Sequence, residues 1–417
     1  MMFRVFAVIA LLSAPVLADW PEVGDLPAHP GLPDPLTRID GTTVTDPADW
    51  PAHREYLKAM FAHYMYGQMP GKPQSVAWHV KGVRAAVDEQ AVIEDLEVII
   101  RRHGRSATIR GALLRPNRPG RFPVIIKNDR FLFGEERLTP SEAEWVNRRP
   151  AVLQQQAFAD QQAVDRGYVL FKFMRGDVAT DAPGRRDEGV FPLYPEYQDW
   201  GVITAWAWAH QFIIDALIEQ EYVDGDKIVV TGHSRGGKAA LCAGIYEERI
   251  AVTAPNSSGS GGTGGWRFFE SGRSQQTLGS HADRPSHRIW WSPRLMNFVG
   301  QEDRLPFESR TLKAAVAPRA FINTHARQDW WANPYGTALN HKAVLPVFDW
   351  LDAGDRIGMH WRDGGHAQDE QDWAALFDFC GRIFFGIPAG RTFQVNPDPD
   401  RYDFEAILRA GAAPPCR

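Results

Sequence analysis

The sequence predicts an α/β fold: a mostly parallel, doubly wound sheet covered by helices on both faces, a three-layer sandwich that opens with an antiparallel N-terminal hairpin. Three observations predict it. Six short apolar runs, at residues 122–127, 168–173, 227–232, 250–255, 320–324 and 357–361, alternate with segments of helical character, the pattern of strands buried on both faces. Two strand-like stretches, 91–101 and 106–115, are joined by Arg102-His103-Gly104-Arg105, a link short enough to require antiparallel pairing. Finally, Gly232-His233-Ser234-Arg235-Gly236-Gly237-Lys238 follows a strand-like run and opens a helix-like one, Ala239-Ala240-Leu241-Cys242-Ala243, which places Ser234 on a tight strand-to-helix turn, a nucleophile elbow.

Taken in chain order, Met1-Met2-Phe3-Arg4, the apolar run that follows and the small residue Ala18 read as a secretory signal over residues 1–18, cleaved before Asp19. That run is too short to span a bilayer, and no later segment is long and apolar enough. The mature chain is therefore expected in the periplasm or secreted. Residues 20–50, rich in proline, aspartate and glycine, suit an extended arm. Residues 52–66 read as a helix, and residues 200–220 as another, with Trp206, Ile213 and Leu217 at helical spacing. Residues 410–417 read as a loose tail. A chain of 417 residues with 44% hydrophobic content has the length of two or three domains, but the motif order argues for a single domain over residues 19–417.

Cys242, Cys380 and Cys416 allow at most one disulfide, and Cys242 reads as buried helix packing. The net charge of -5 and the lack of a basic cluster argue against nucleic-acid or anionic-membrane partners. An uncharged or weakly charged substrate fits better, acted on by a monomer without cofactor or metal.

Ser234 is the serine with glycine two places before and two places after it, where a Cβ would strike the neighbouring strand and helix. In a chain with 37 glycines that motif alone is weak. The charges strengthen it. Arg235 and Lys238 both fall in the first helical turn, where the helix dipole disfavours cations, and a local rule broken without local compensation marks functional sites. Arg235 can offer its backbone N–H and its guanidinium to a developing oxyanion. Lys238, four residues after Ser234, is expected to project from the same helical face towards the cleft.

Functional residues of an open parallel sheet collect at the carboxyl ends of its strands, and enzymes with such an elbow follow the order serine, acid, histidine. Here Arg327-Gln328-Asp329-Trp330-Trp331 follows one strand and Asp363-Gly364-Gly365-His366 another. Ser234, Asp329 and His366 are thus the candidate nucleophile, acid and base, although aspartates also frequent such turns for local backbone bonding. Trp266, Trp290, Trp291, Trp330, Trp331 and Trp361 lie at or after late strands, where flat rings can pack on sugars. Since tryptophans are mostly buried, only a minority is expected at the surface.

At this point the chain resembles the glucuronoyl esterases, carbohydrate esterase family 15, and within it the bacterial branch. The resemblance is carried by the elbow itself, by Ser258-Gly259-Ser260-Gly261-Gly262 with Trp266-Arg267, by Asp329-Trp330-Trp331-Ala332-Asn333-Pro334, and by Gly364-Gly365-His366 with Asp372-Trp373. It implies the α/β-hydrolase fold and a serine esterase acting on esters of 4-O-methyl-D-glucuronic acid in glucuronoxylan, at the bond to lignin alcohols. Ser234 would be the nucleophile, His366 the base and Arg235 the oxyanion stabiliser, with Lys238 and Trp331 on the sugar. Gln276, aligned across a gap, stands where a family glutamine bonds sugar hydroxyls. Two departures stand out. Fungal members place the triad glutamate where this chain has Ser257, so the acid must come from elsewhere; the resemblance to bacterial members points to Asp329, after the next strand, with other acids near the pocket left open. Near Trp290 the family often has a substrate-binding glutamate where this chain has His287, so recognition of the uronic ring is expected to differ.

Two other readings compete: a carbohydrate acetyl esterase with the same triad, and a non-catalytic carbohydrate-binding protein on a hydrolase scaffold. Metal-dependent hydrolysis is disfavoured, because His281 with His287, and His360 with His366, lack the close pairing with a carboxylate seen in metal-binding helix motifs.

Overall fold

The computed structural model describes residues 20–130, 132–133, 140–148, 150–270, 272–393, 396 and 402–409; the expected signal at 1–18 and tail at 410–417 lie outside the described residues. The strands are β1 (Ser75–Ala86), β2 (Ala91–Arg102), β3 (Arg105–Pro116), β4 (Phe122–Asp129), β5 (Val169–Met174), β6 (Val223–His233), β7 (Ile250–Asn256), β8 (Ala320–Ala326) and β9 (Ile357–Arg362). They form one sheet in the order β1-β2-β3-β5-β4-β6-β7-β8-β9. Pairing is parallel from β5 through β4, β6, β7 and β8 to β9. It is antiparallel among β1, β2 and β3 and between β3 and β5. All six apolar runs are parallel strands, each extending slightly past its expected carboxyl end.

The β2–β3 hairpin closes on His103 and Gly104, with φ of 49° and 75°, between the paired Arg102 and Arg105. Positive φ at both turn residues matches the right-handed twist of the flanking strands. Strand β1 is not legible as an apolar run, because it is an edge strand whose residues are all exposed or half-exposed and whose register shifts between Val80 and Gly82.

Successive strand residues point to opposite faces, and the two faces carry different helices. Val124, Ile126, Ile228 and Val230 pack on one face with α3 (Val202–Ile218) and α4 (Arg235–Tyr246). Ile125, Leu170 and Val229 pack on the other with α2 (Ala151–Asp165) and α5 (Glu370–Phe385). Trp206, Ile213 and Leu217 of α3 are all fully buried. The N-terminal helix α1 (Trp50–Phe61) runs on through a π-helical turn, Ala62–Tyr66, and stops at Gly67, whose φ is 78°. Cys242 and Cys380 are buried and unbridged.

Residues 20–50 lie along the body and are tied to it by bonds from Tyr64 Oη to the Pro21 carbonyl (2.7 Å) and from Arg310 Nε to the Pro33 carbonyl (2.7 Å). Among the described residues no helix is long and apolar enough to cross a membrane. The sheet register sets His233 opposite Asn256 and Asn256 opposite Thr324. As a result Ser234, the 257–262 loop, the 327–331 loop and the 363–366 loop all leave the sheet along one edge.

Candidate active site

Ser234 sits between β6 and α4 with φ 56° and ψ −118°, a conformation that costs a non-glycine residue of order 1–3 kcal/mol and clusters at active sites. The turn is tied by Ser234 N–H to the Asn256 carbonyl (3.0 Å) and by Gly237 N–H back to the Ser234 carbonyl (3.0 Å). A Cβ on Gly232 would lie 2.3 Å from the Gly236 carbonyl oxygen, and one on Gly236 would lie 2.7 Å from Asn128 Oδ1. Backbone blocks the first of these, so relief requires the turn itself to shift. Gly232→Ala is therefore expected to lose about 3 kcal/mol of stability by urea unfolding. Gly365→Ala, with nothing within 4 Å of its Cβ, is expected to stay within about 0.5 kcal/mol.

His366 Nδ1 lies 2.7 Å from Asp329 Oδ2, with Asp329 only 2% exposed. Burial alone would raise the Asp329 pKa, but the His366 hydrogen bond, with His325 and His233 nearby, outweighs it and holds the carboxyl below its ordinary range. The two loops that carry the pair are laced together beyond the end of the β8–β9 ladder. Arg327 N–H donates to the Arg362 carbonyl (2.9 Å) and Gln328 N–H to the Gly364 carbonyl (3.2 Å). Arg362, 3% exposed, braces the histidine loop from inside. Its Nε donates to Asp372 Oδ2 (2.7 Å), Nη1 to the Asp363 carbonyl (3.0 Å), and Nη2 to the carbonyls of Gly365 (3.2 Å) and Ala367 (2.7 Å).

Behind His366 stands the His233 ring, 4.4 Å away. Its Nδ1 lies 2.6 Å from Asn256 Oδ1, and the Asn256 amide donates to Thr324 Oγ1 (2.8 Å). Among the described residues no hydrogen bond joins the Ser234 hydroxyl to His366; the two meet across a cavity that both line. Catalytic bonds are often open in this way before substrate arrives.

The Arg235 guanidinium bonds Asp181 Oδ2 and lies 5.4 Å from the Trp290 ring, while Trp290 Nε1 donates to Asp181 Oδ1 (2.8 Å). The cation in the first turn of α4 is thus compensated, by an aspartate from the loop after β5. Trp290 is placed by the start of α3, where Ile203 N–H donates to its carbonyl (3.3 Å).

Lys238 departs from expectation. It does not reach into an open cleft but is buried, 1% exposed. Its ammonium donates to the Ser258 carbonyl, to the Ser260 carbonyl (2.6 Å) and to Gln276 Oε1 (3.1 Å). The glycine-rich loop folds over this helical face and turns its carbonyls on the ammonium, which compensates the second cation. Burial first, and Arg235 next, push the Lys238 pKa well below its ordinary value.

Gln276 is tied to Trp331 by its own N–H, which donates to the Trp331 carbonyl (3.2 Å). Its Nε2 has no acceptor among the described residues. Trp331 is half-buried, with the Arg284 guanidinium 5.1 Å from its ring. His287 stacks on Trp290 at 4.1 Å. Burial, then Arg284, Lys238 and Arg235, push its pKa down to about 4, so a neutral imidazole stands here. Of the six late tryptophans, Trp266, Trp290, Trp291 and Trp361 are buried, whereas Trp330 and Trp331 are partly exposed.

Sequence reasoning missed Asp181, His233 and Asn256, whose partners lie far along the chain, and Arg362, whose partners are local but form no recognisable motif. Ser257, at the position of the fungal glutamate, is buried with φ 42°, and its Oγ has no hydrogen-bond partner among the described residues. Among the described residues no three His, Cys, Asp or Glu side chains converge as metal ligands.

The sheet order and the elbow define a protein of the α/β-hydrolase class. The family profile described as glucuronyl esterase, fungi, matches residues 127–352, more than half of the chain. Carbohydrate esterase MZ0003, from an unknown prokaryotic organism, is 28% identical over 403 residues, covering 85% of this chain and 90% of that protein. The 4-O-methyl-glucuronoyl methylesterase of Podospora anserina is 28% identical over 346 residues, covering 78% of this chain and 64% of that protein. Among solved structures, the carbohydrate esterase family 15 glucuronoyl esterase of Caldicellulosiruptor kristjansonii superposes with a TM-score of 0.70 at 29% identity, covering 92% of this chain and 99% of that one. The chain belongs to the glucuronoyl esterase family.

Proposed function

We propose that this protein hydrolyses esters of 4-O-methyl-D-glucuronic acid by two-step acyl transfer outside the cytoplasm, following removal of residues 1–18. The observation that carries this reading is the 2.7 Å bond from His366 to buried Asp329 on the sheet edge where Ser234 stands at its strained turn. His366 Nε2 takes the Ser234 proton as Oγ attacks the ester carbonyl, and Asp329 stabilises the imidazolium that forms. The oxyanion is received by Arg235. The proton passes from His366 to the departing alcohol, and water, activated by the same imidazole, releases the uronic acid and restores Ser234.

On the sugar side, Trp331 offers its half-exposed face and Gln276 its free amide N–H groups. Lys238 holds Gln276 in place through Oε1. His287, uncharged, replaces a carboxylate charge with imidazole hydrogen bonding.

The test is hydrolysis of the methyl ester of glucuronic acid by the mature chain, beside the galacturonic ester and an acetyl ester. Turnover of the glucuronic ester is expected. Turnover of the acetyl ester alone would favour an acetyl esterase, and binding without turnover a carbohydrate-binding protein. Arg235→Ala is expected to lower kcat about a hundredfold, the usual loss for one oxyanion donor. An unchanged kcat would remove Arg235 from that role.

A further inference from the structure

We infer that the cavity beside Ser234, on the side away from Gln276 and Trp331, receives the alcohol of the ester, and that Arg175 selects an alcohol carrying a carboxylate. This rests on the glucuronate esterase reading above. The cavity, about 230 Å³, is bounded on one side by Ser234, Arg235 and His366, while Lys238, Gln276 and Trp331 take no part in its walls. An ester with its uronic ring over Trp331 and its carbonyl at Ser234 therefore directs its alcohol into this space. The far walls include Lys127, Asp129, Arg130, Gln156, Arg175 and Trp373. They combine an excess of positive charge with one aromatic surface, in a chain whose net charge is -5.

Arg175, directly after β5, is the unusual member. It is 7% exposed, and its guanidinium lies 4.8 Å from the Trp206 ring, yet it makes no hydrogen bond or ion pair with any described residue. Its neighbours are supplied. Lys127 pairs with Asp129 at 2.7 Å, Asp129 also accepts from Gln156 (3.2 Å), and Arg235 is held by Asp181. A Cβ on Gly236 would come 2.7 Å from Arg175 Nη1, so this guanidinium is lodged against the turn that carries Ser234. Burial, then the charges of Arg130 and Arg235, push its pKa down to about 9, which leaves it protonated at neutral pH. The guanidinium opens on the cavity without an acceptor from the described residues, and a carboxylate, which can pair with it through two parallel hydrogen bonds, is the ligand group that complements it.

The test compares kcat/KM for three esters of glucuronic acid: benzyl, 4-carboxybenzyl, and 4-carboxamidobenzyl, which keeps the size and shape of the carboxylate without its charge. Wild type is expected to favour the carboxybenzyl ester over both others by about tenfold or more at low salt, with the preference shrinking as salt is added. The preference should vanish in Arg175→Met and survive in part in Arg175→Lys. Equal turnover of the three esters by wild type overturns this inference and leaves the esterase reading intact. Failure of every glucuronic ester, the methyl ester included, overturns both. A preference unchanged in folded Arg175→Met removes Arg175 from the role. Should that variant not fold, the wild-type ratios, their salt dependence and Arg175→Lys decide.

Discussion

Ser234→Ala is expected to lower kcat on the glucuronic methyl ester by about 10⁵-fold or more, because the removed oxygen is the one on which the acyl group is carried. The residual rate comes from water reaching a carbonyl still bound beside Arg235. Stability should hardly change. The Ser234 side chain makes no capping bond to α4, and alanine meets the same cost at φ 56° as serine does. Equilibrium unfolding of the variant should therefore lie within about 0.5 kcal/mol of wild type, which separates loss of chemistry from loss of fold. A kcat within tenfold of wild type would show that the acyl group is carried elsewhere.

Asp329→Asn is the second large effect, expected at about 10³ to 10⁴-fold in kcat. The carboxylate accepts from His366 Nδ1, which leaves Nε2 unprotonated and able to take the serine proton. An amide can instead present N–H to Nδ1 and favour the opposite tautomer, the reason such a swap is severe while leaving the geometry intact. The double variant with Ser234→Ala should be little worse than Ser234→Ala alone, since residues acting as a unit are not additive. Stability gives an independent readout. Because the folded carboxyl is held below its ordinary pKa, its contribution is present above the unfolded value and fades as pH falls through the folded one. The stability gap between wild type and Asp329→Asn should therefore be widest near neutrality and close in strong acid. Near-normal kcat in the variant would mean that another group supplies the acid, and buried Ser257, with a hydroxyl in place of a carboxyl, is not that group.

The parallel strands were legible because burial on both faces demands unbroken apolar runs, and Val124 to Ile126 or Ile228 to Val230 have no solvent side on which to alternate. The elbow was legible because its glycine pattern is a local sequence signature, although only Gly232 is imposed from within the turn, by the Gly236 carbonyl, while Gly236 is imposed by Asn128 and Arg175, far off in the chain. Strand β1 was not, since an edge position asks little of its side chains. Asp329 and His366 could be proposed from strand order alone, because both follow the end of a strand. The fate of Lys238 could not, because the carbonyls that enclose it come from a loop 20 residues away whose path no local pattern encodes. Asp181 is similar: nothing in its neighbourhood distinguishes it from an ordinary loop aspartate until the fold brings Arg235 and Trp290 against it.

The Arg362 brace bears on how the histidine loop moves in time. Loops held only by their ends fluctuate in nanoseconds to microseconds, whereas release of several bonds together is a local unfolding event, rarer and all-or-none. With one guanidinium tied to Asp372 and to the carbonyls of Asp363, Gly365 and Ala367, no part of residues 363–367 can leave its place alone. His366 is thus carried on a segment with two states, seated or released. In the seated state the imidazole can give and take protons without its loop rearranging between steps.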